Sequence, residues 1–350
     1  MSKKWSIFVV CSILIILLFM AIINMIIDPF FQYSAPKEGL YYALRTEAYI
    51  NPGIIKNFDY DSILFGSSMV ENFKVSLLDE AFGTKTVKIP QPGGYFKNFD
   101  ILFSIAFQRN PPPKNVFFGF DIARLHNDPK ATVNPLPEYL YDNKVMNDIS
   151  YLLNKEVVLR SFYALMKTLQ NTSPKTMDEY GAWQDIAVFG RDEVIKGYSR
   201  RLEKNNMRPA DYLLNVAKEN VETNVIPHIR DNPNTSFYIF FPPYSILYWD
   251  ARMRNGEFES VFNGLRYSME TLLQFENVSL FFFSDSQQII CDLDNYRDST
   301  HFSIDVSNQI AQSLIDGTHQ VTLENYDDIL NTTYDFLLHF DYDNIFVSQR

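Results

Sequence analysis

From Trp5 to Ile27 the chain is an almost unbroken apolar run, with Lys3 and Lys4 before it and Asp28 closing it. About 23 residues at roughly 1.5 Å each are enough to cross a hydrocarbon core of about 30 Å, so a membrane-spanning helix is expected here. The basic residues precede the span, which keeps the N-terminus in the cytoplasm and puts everything beyond Asp28 outside. A cleaved signal peptide has a shorter apolar region, about 7–15 residues, and a small-residue cleavage site. The stretch "FMAIINMIIDPF" offers no such site. The expectation is a signal anchor over residues 1–28 of a single-pass cell-membrane protein with an extracytoplasmic domain.

Residues 29–60, opening "PFFQYSAPKEG", read as a linker and entry segment broken by Pro and Gly. Then one pattern recurs: a short β-rich apolar run, a Gly or polar stop, and an amphipathic stretch. Strands are expected over 61–65, 85–89, 115–120, 236–241 and 278–284, and helices over 69–82, 95–109, 208–230 and 256–275. The last three strands are nearly continuous apolar runs, the pattern of strands buried on both faces. The alternation predicts an α/β fold over 61–320, a parallel sheet of about five strands flanked by helices. Residues 123 to about 205 interrupt the rhythm with helical segments near 144–171 and the polar stretch "DEYGAWQ". They read as a helical insertion, either a lid or substrate platform or a packing subdomain. Residues 321–350 read as a C-terminal helical tail.

Composition narrows the function classes. At 46% hydrophobic and 15% aromatic residues the chain can fill a large core and is not disordered. A net charge of −11, with no basic stripe, excludes nucleic acid as a partner. Of the two cysteines, Cys11 lies inside the apolar run, so it cannot reach Cys291, and two residues draw no zinc site. No metal and no cofactor is expected.

In sheets of this kind ligands gather outside the carboxyl ends of the strands. The first strand ends in Gly66-Ser67-Ser68, the second leads into "IPQPGGYF" with Gly93 and Gly94, and the third ends at Asp121. The fourth ends in "FPPYSILYW", with Tyr244 and Trp249, and the fifth leads to "DLDNYRDSTHFS", with Asp298 and His301. A serine at a strand-to-helix junction suits a nucleophile whose oxyanion meets N–H donors, though Gly-Ser-Ser is equally an N-cap pair. Asp298, three residues before His301, could fix the imidazole tautomer, or both could belong to a polar turn capping a helix near Ser303. A cation set of Asp292, Asp294, Asp298 and His301 is the other reading, but the stretch lacks the glycine and distal glutamate of a calcium loop. Tyr244 and Trp249 could stack on a sugar ring or fill the core.

Taken together, "FGSSMVENF", "PGGYF" and "RDSTHFS" resemble the nucleophile, glycine and Asp-x-x-His blocks of the SGNH (GDSL-like) hydrolase superfamily. The resemblance covers roughly residues 60–125 and 235–316, and leaves out the anchor and the insertion. It implies a flavodoxin-like three-layer sandwich in which Ser68 is the nucleophile, His301 its base and Asp298 the orienting carboxylate. It also implies an oxyanion site drawn from Ser68, Gly93, Gly94 and the position of Asp121. The family usually has an Asn donor at that last position. An ionised Asp121 can only accept hydrogen bonds, and Asn127 lies six residues on. The chain is most similar in style to membrane-anchored bacterial cell-surface members, which include teichoic-acid D-alanylation proteins and exopolysaccharide O-acetyltransferases. That likeness implies an extracytoplasmic serine esterase or O-acyltransferase acting on acetyl or D-alanyl groups of cell-envelope polysaccharide. Its partners would be the membrane, an acylated glycan and, in the transferase case, a membrane acyltransferase. The alternative is a non-catalytic surface-anchored binding or assembly protein that keeps the fold.

Overall fold

A computed structural model describes residues 3–142, 144–200 and 210–349. The end of the expected insertion, 201–205, and the first residues of the helix expected over 208–230 lie outside the described residues. In chain order the main elements are α1 (Lys3–Ile27), α2 (Glu47–Asn57), β1 (Ser62–Gly66), α3 (Val75–Phe82), β2 (Thr86–Pro90), α4 (Phe96–Ala106) and β3 (Asn115–Gly119). There follow α5 (Glu138–Tyr141), α6 (Ile149–Leu152), α7 (Lys155–Leu169), α8 (Arg191–Gly197), α9 (Ala210–Asn224), α10 (Ile226–Arg230) and β4 (Ser236–Phe241). The last are α11 (Ile246–Arg254), α12 (Phe258–Leu272), β5 (Val278–Phe282), α13 (Gln287–Ile290), α14 (Ile304–Asp316), β6 (Gln320–Val321) and α15 (Tyr326–His339).

The chain forms two compact units. One joins the residues up to Asp59 with Pro135–Thr176, and the other joins Tyr60–Asn134 with the chain from Met177 onward. The stretch expected as a single insertion is therefore divided between them.

The second unit is an α/β fold on one sheet, in the order β2-β1-β3-β4-β5-β6. The first five strands are parallel. The sheet has six strands instead of about five, because β6 adds two residues antiparallel to β5. Two residues are too short to leave a periodic signal. β1 is buried along its whole length, and Phe65, Phe118, Phe240 and Phe281 are all core residues. Burial of each such ring contributes on the order of 1.5–3 kcal/mol.

The carboxyl end of β1 departs from the sequence reading. Only a three-residue 3-10 turn, Ser68–Val70, follows directly, and α3 waits until Val75. Ser67 caps the turn, its hydroxyl facing the Met69 N–H at 3.4 Å. Val70 then folds back over the sheet. A Cβ on Gly66 would lie 2.3 Å from the Val70 side chain, and one on Gly119 3.0 Å from it. Both strand ends need glycine for that close approach, which fixes the turn carrying Ser68.

The first unit holds α1, α2, α5, α6 and α7. α1 is long and apolar enough to cross a membrane. Directly after it comes Asp28, whose buried carboxylate accepts the N–H groups of Gln32, Tyr33 and Ser34 and the Tyr151 hydroxyl at 2.8–2.9 Å.

Candidate active site

Ser68 and His301, 233 residues apart, meet at the carboxyl edge of the sheet, with the Ser68 hydroxyl 2.8 Å from His301 Nε2. On the other side of the ring, His301 Nδ1 lies 2.8 and 3.0 Å from the two oxygens of Asp298. A carboxylate can only accept, so Nδ1 carries the proton and Nε2 presents a lone pair to the Ser68 hydroxyl. Burial pushes the Asp298 carboxyl up. The His301 ring, together with the backbone N–H groups of His301 and Thr300, outweighs burial and holds the carboxyl well below the usual carboxylate range. Asp298 is therefore ionised at neutral pH. Chemically, the row can take a proton from a hydroxyl and stabilise the imidazolium that results.

The loop carrying Asp298 and His301 is fixed at both ends. Arg297 N–H donates to His301 O at 3.0 Å, and Ser303 N–H to Asn295 O at 2.8 Å. Ser303 caps α14, its hydroxyl 3.4 Å from the Val306 N–H. From β4's end, Ser245 holds the loop by donating its hydroxyl to Ser299 O at 2.8 Å. Asp292 and Asp294, considered above as cation ligands, accept backbone N–H groups instead, from Asp294 and Arg191 respectively. Among the described residues no cluster of three or more His, Cys, Asp or Glu could hold a metal ion.

The glycine turn splits the two residues named for the oxyanion. Gly93 sits at φ +67, and its N–H has no partner among the described residues. Gly94 N–H already donates to Gln91 O at 2.8 Å, so this group closes the turn and is not a free donor.

Asp121 is not aimed at the reacting edge. Its buried carboxylate takes the Ser67 hydroxyl at 2.7 Å, the Ala123 N–H at 3.0 Å and the Tyr244 hydroxyl. It is an acceptor for the turn beneath Ser68. The stacking role considered for Tyr244 and Trp249 fails for a simple reason: both rings are fully buried. Tyr244 supports Asp121, and Trp249 packs among Tyr248, Phe258 and Phe262.

Three residues that sequence reasoning missed complete the site. Asn72, four residues past Ser68 and only 2% exposed, lines one small cleft with Ser68, His301 and Trp183. Its Oδ1 accepts the Trp183 backbone N–H at 3.1 Å, so its amide NH2 lies on the other side, buried and without a hydrogen-bond partner among the described residues. A lone buried donor beside the Ser68 hydroxyl calls for an acceptor that arrives with a ligand. Trp183 stands edge-on to His301, with ring centroids 5.7 Å apart at 88°, and its Nε1 donates to Glu71 at 2.8 Å. The Arg297 guanidinium lies over the Trp183 ring at 4.8 Å. The spacing "SSMVEN" could have drawn attention to Asn72. Nothing in the sequence ties Trp183, in the "DEYGAWQ" stretch, to Ser68.

The segment bearing Trp183 is held firmly. Lys88, fully buried on β2, donates to the carbonyls of Glu71, Phe73 and Asp178 at 2.6–2.9 Å. The Asp178 carboxylate accepts the hydroxyl and N–H of Ser76, and Gln184 accepts the Ile304 N–H at the start of α14.

No family model matches the chain, and no curated protein matches it. Among solved structures it is similar to a Streptococcus pneumonia chain assigned provisionally as a platelet activating factor. The identity is 12% and the TM-score 0.40, over 77% of this chain and 90% of that one.

Proposed function

We propose that the protein is a serine esterase or O-acyltransferase of the SGNH type, acting outside the membrane on short acyl groups of cell-envelope polysaccharide. The observation that carries the reading is the continuous chain from the Ser68 hydroxyl through His301 to the ionised Asp298. In the first half-reaction Ser68 Oγ attacks the ester carbonyl carbon while its proton passes to His301 Nε2. The oxyanion that forms is held by the Ser68 and Gly93 N–H groups and by the Asn72 amide, which takes the part of the absent Asn at the Asp121 position. The intermediate collapses to acyl-Ser68, and the departing sugar oxygen takes the proton from His301. Water or a second hydroxyl then attacks the acyl-enzyme, with His301 again as base. The cleft beside Ser68 is narrow, walled by Met69, Trp183 and Phe302, which supports short acyl groups, acetyl or D-alanyl, over long acyl chains. α1 would keep the domain at the envelope surface, beside an acylated glycan and, for transfer, a membrane acyltransferase.

The test is an active-site-directed fluorophosphonate. It should label wild type at Ser68 and leave Ser68→Ala unlabelled, and His301→Ala should lose about 10³-fold or more in the rate of ester cleavage. A folded wild-type protein that neither labels nor cleaves esters would instead be a binding or assembly protein.

A further inference from the structure

The pair α1 and α7 is packed by rules opposite to those of a helix on a water-soluble protein. α7 buries its small residues toward its neighbours, Ser161 and Ala164, along with Val157. The Ser161 hydroxyl donates to Asn24 Oδ1 of α1 at 2.8 Å, and Asn24 Nδ2 donates to Leu152 O at 2.7 Å. On the opposite stripe, at spacings of three and four, stand Leu159, Phe162, Met166 and Leu169, which are 52, 55, 46 and 85% exposed. An amphipathic helix in water places its large apolar residues inward. Small residues at the contact, a polar bond between helices and large apolar residues outside are the pattern of helices packed in lipid.

The position of α7 along α1 agrees with this. Asn24 lies in the last turn of α1, the end that reaches the outer surface if α1 spans the membrane with its N-terminus inside. Elsewhere on α1, Leu14, Leu18, Ile22 and Met25 are exposed too, so apolar surface runs along one packed pair of helices. At 15 residues α7 is too short to span. It also carries Lys155, Arg160 and Lys167 against Glu156 alone, in a chain of net charge −11. A locally basic, apolar-faced helix suits a surface of anionic headgroups over acyl chains.

We infer that α7 is bedded in the outer leaflet beside the end of α1, with Leu159, Phe162, Met166 and Leu169 against lipid acyl chains. The inference rests on α1 as the membrane span and is independent of the reaction at Ser68. The anchor alone would leave the protein tethered, whereas a bedded α7 gives it a second membrane contact.

The test uses the full chain in phosphatidylglycerol–phosphatidylethanolamine vesicles, with Cys11→Ala and Cys291→Ala as background. A single cysteine carrying an environment-sensitive fluorophore replaces Leu159, Phe162 or Met166, with Leu18 as the lipid reference and exposed Gln312 as the water reference. Acyl-chain doxyl and aqueous iodide serve as quenchers. The α7 positions should match Leu18 in their doxyl-to-iodide ratio. If they match Gln312 while Leu18 is quenched by doxyl, the span stands and the inference is wrong. Protection of the α7 positions from both quenchers means that a second copy covers them, which also overturns it. If Leu18 itself is quenched only by iodide, the span is wrong and the inference falls with it.

Discussion

The Ser67 hydroxyl donates to Asp121 at 2.7 Å, while its neighbour Ser68 faces His301 at 2.8 Å. Adjacent hydroxyls thus serve opposite sides of one turn, the first anchoring it to the core and the second facing the imidazole. Asp121→Ala would leave the buried hydroxyls of Ser67 and Tyr244 and the Ala123 N–H without their acceptor. Each unpaired group costs about 1–3 kcal/mol. At roughly 2–4 °C per kcal/mol the variant should melt several degrees below wild type. Asp121→Asn should fall between the two, because the hydroxyls can turn to accept from the new amide, and it should not raise activity. Calorimetry with an aryl acetate assay checks both. A faster Asn variant would mean that position 121 does reach the oxyanion.

The Asn72 amide gives a sharper test of the oxyanion site. Asn72→Ala removes one donor and leaves the Ser68–His301–Asp298 row in place. Loss of a single oxyanion donor lowers kcat by about 10²–10³-fold. KM should change little, because the interaction belongs to the transition state. Fluorophosphonate labelling should slow as well. An Ala variant with wild-type kcat would remove Asn72 from the mechanism and leave two backbone donors.

The parts of this molecule legible in its sequence are those written in local pattern. Apolar runs of five or six residues ending in Gly, Pro or Ser mark β1 to β5, because strands buried on both faces need no alternation. The pairing of Ser68 with Asp298 and His301 was legible because ligand chemistry collects at one sheet edge. The chain after Ser67 was not. Its residues suit a helix, but the Ser67 cap and the docking of Val70 over Gly66 and Gly119 hold a 3-10 turn instead. The sequence leaves Tyr244 and Trp249 open, because an aromatic after a strand looks the same whether it points into the core or into a cleft, and the structure puts both in the core. Trp183 was invisible for another reason. It reaches His301 through contacts of Lys88, Asn72 and Gln184 with distant chain, and none of these leaves a periodic trace.

Lys88 should make stability depend on pH in a direction unusual for a lysine. In the unfolded chain its amine titrates near pH 10. Burial penalises the ammonium and draws it down to about 7, with Asp178 and Glu71 offsetting only part of that. Between about pH 7 and about pH 10 the unfolded chain therefore holds a proton that the folded chain has released. Stability from this group rises with pH across that window, at up to about 1.4 kcal/mol per unit, and is flat below it. Measured by urea unfolding, the stability of the wild type relative to Lys88→Met should rise as pH climbs through the window. A difference that stays constant across the window would mean that the three carbonyls keep the ammonium charged.

Trp183 should decide which acyl groups reach Ser68. Its ring stands edge-on to His301, and its position is fixed by Glu71 at Nε1, by Asn72 at its backbone N–H and by Arg297 over its face. With the ring in place the cleft beside Ser68 is small, so kcat/KM should fall steeply from aryl acetate to aryl octanoate. Trp183→Ala removes one wall of the cleft. It should reduce the acetate preference by at least about tenfold, within the range that one or two methylenes contribute to discrimination in a fitted pocket. The variant also removes the indole N–H bond to Glu71 and the face on which Arg297 rests, so acetate turnover itself should decline. Trp183→Phe separates the two effects, because it keeps an aromatic wall while losing the bond to Glu71. It should hold most of the wild-type chain-length preference. If Trp183→Ala leaves the acetate-to-octanoate ratio unchanged, the cleft does not select the acyl group, and the preference for short acyl chains must be given up while the triad stands.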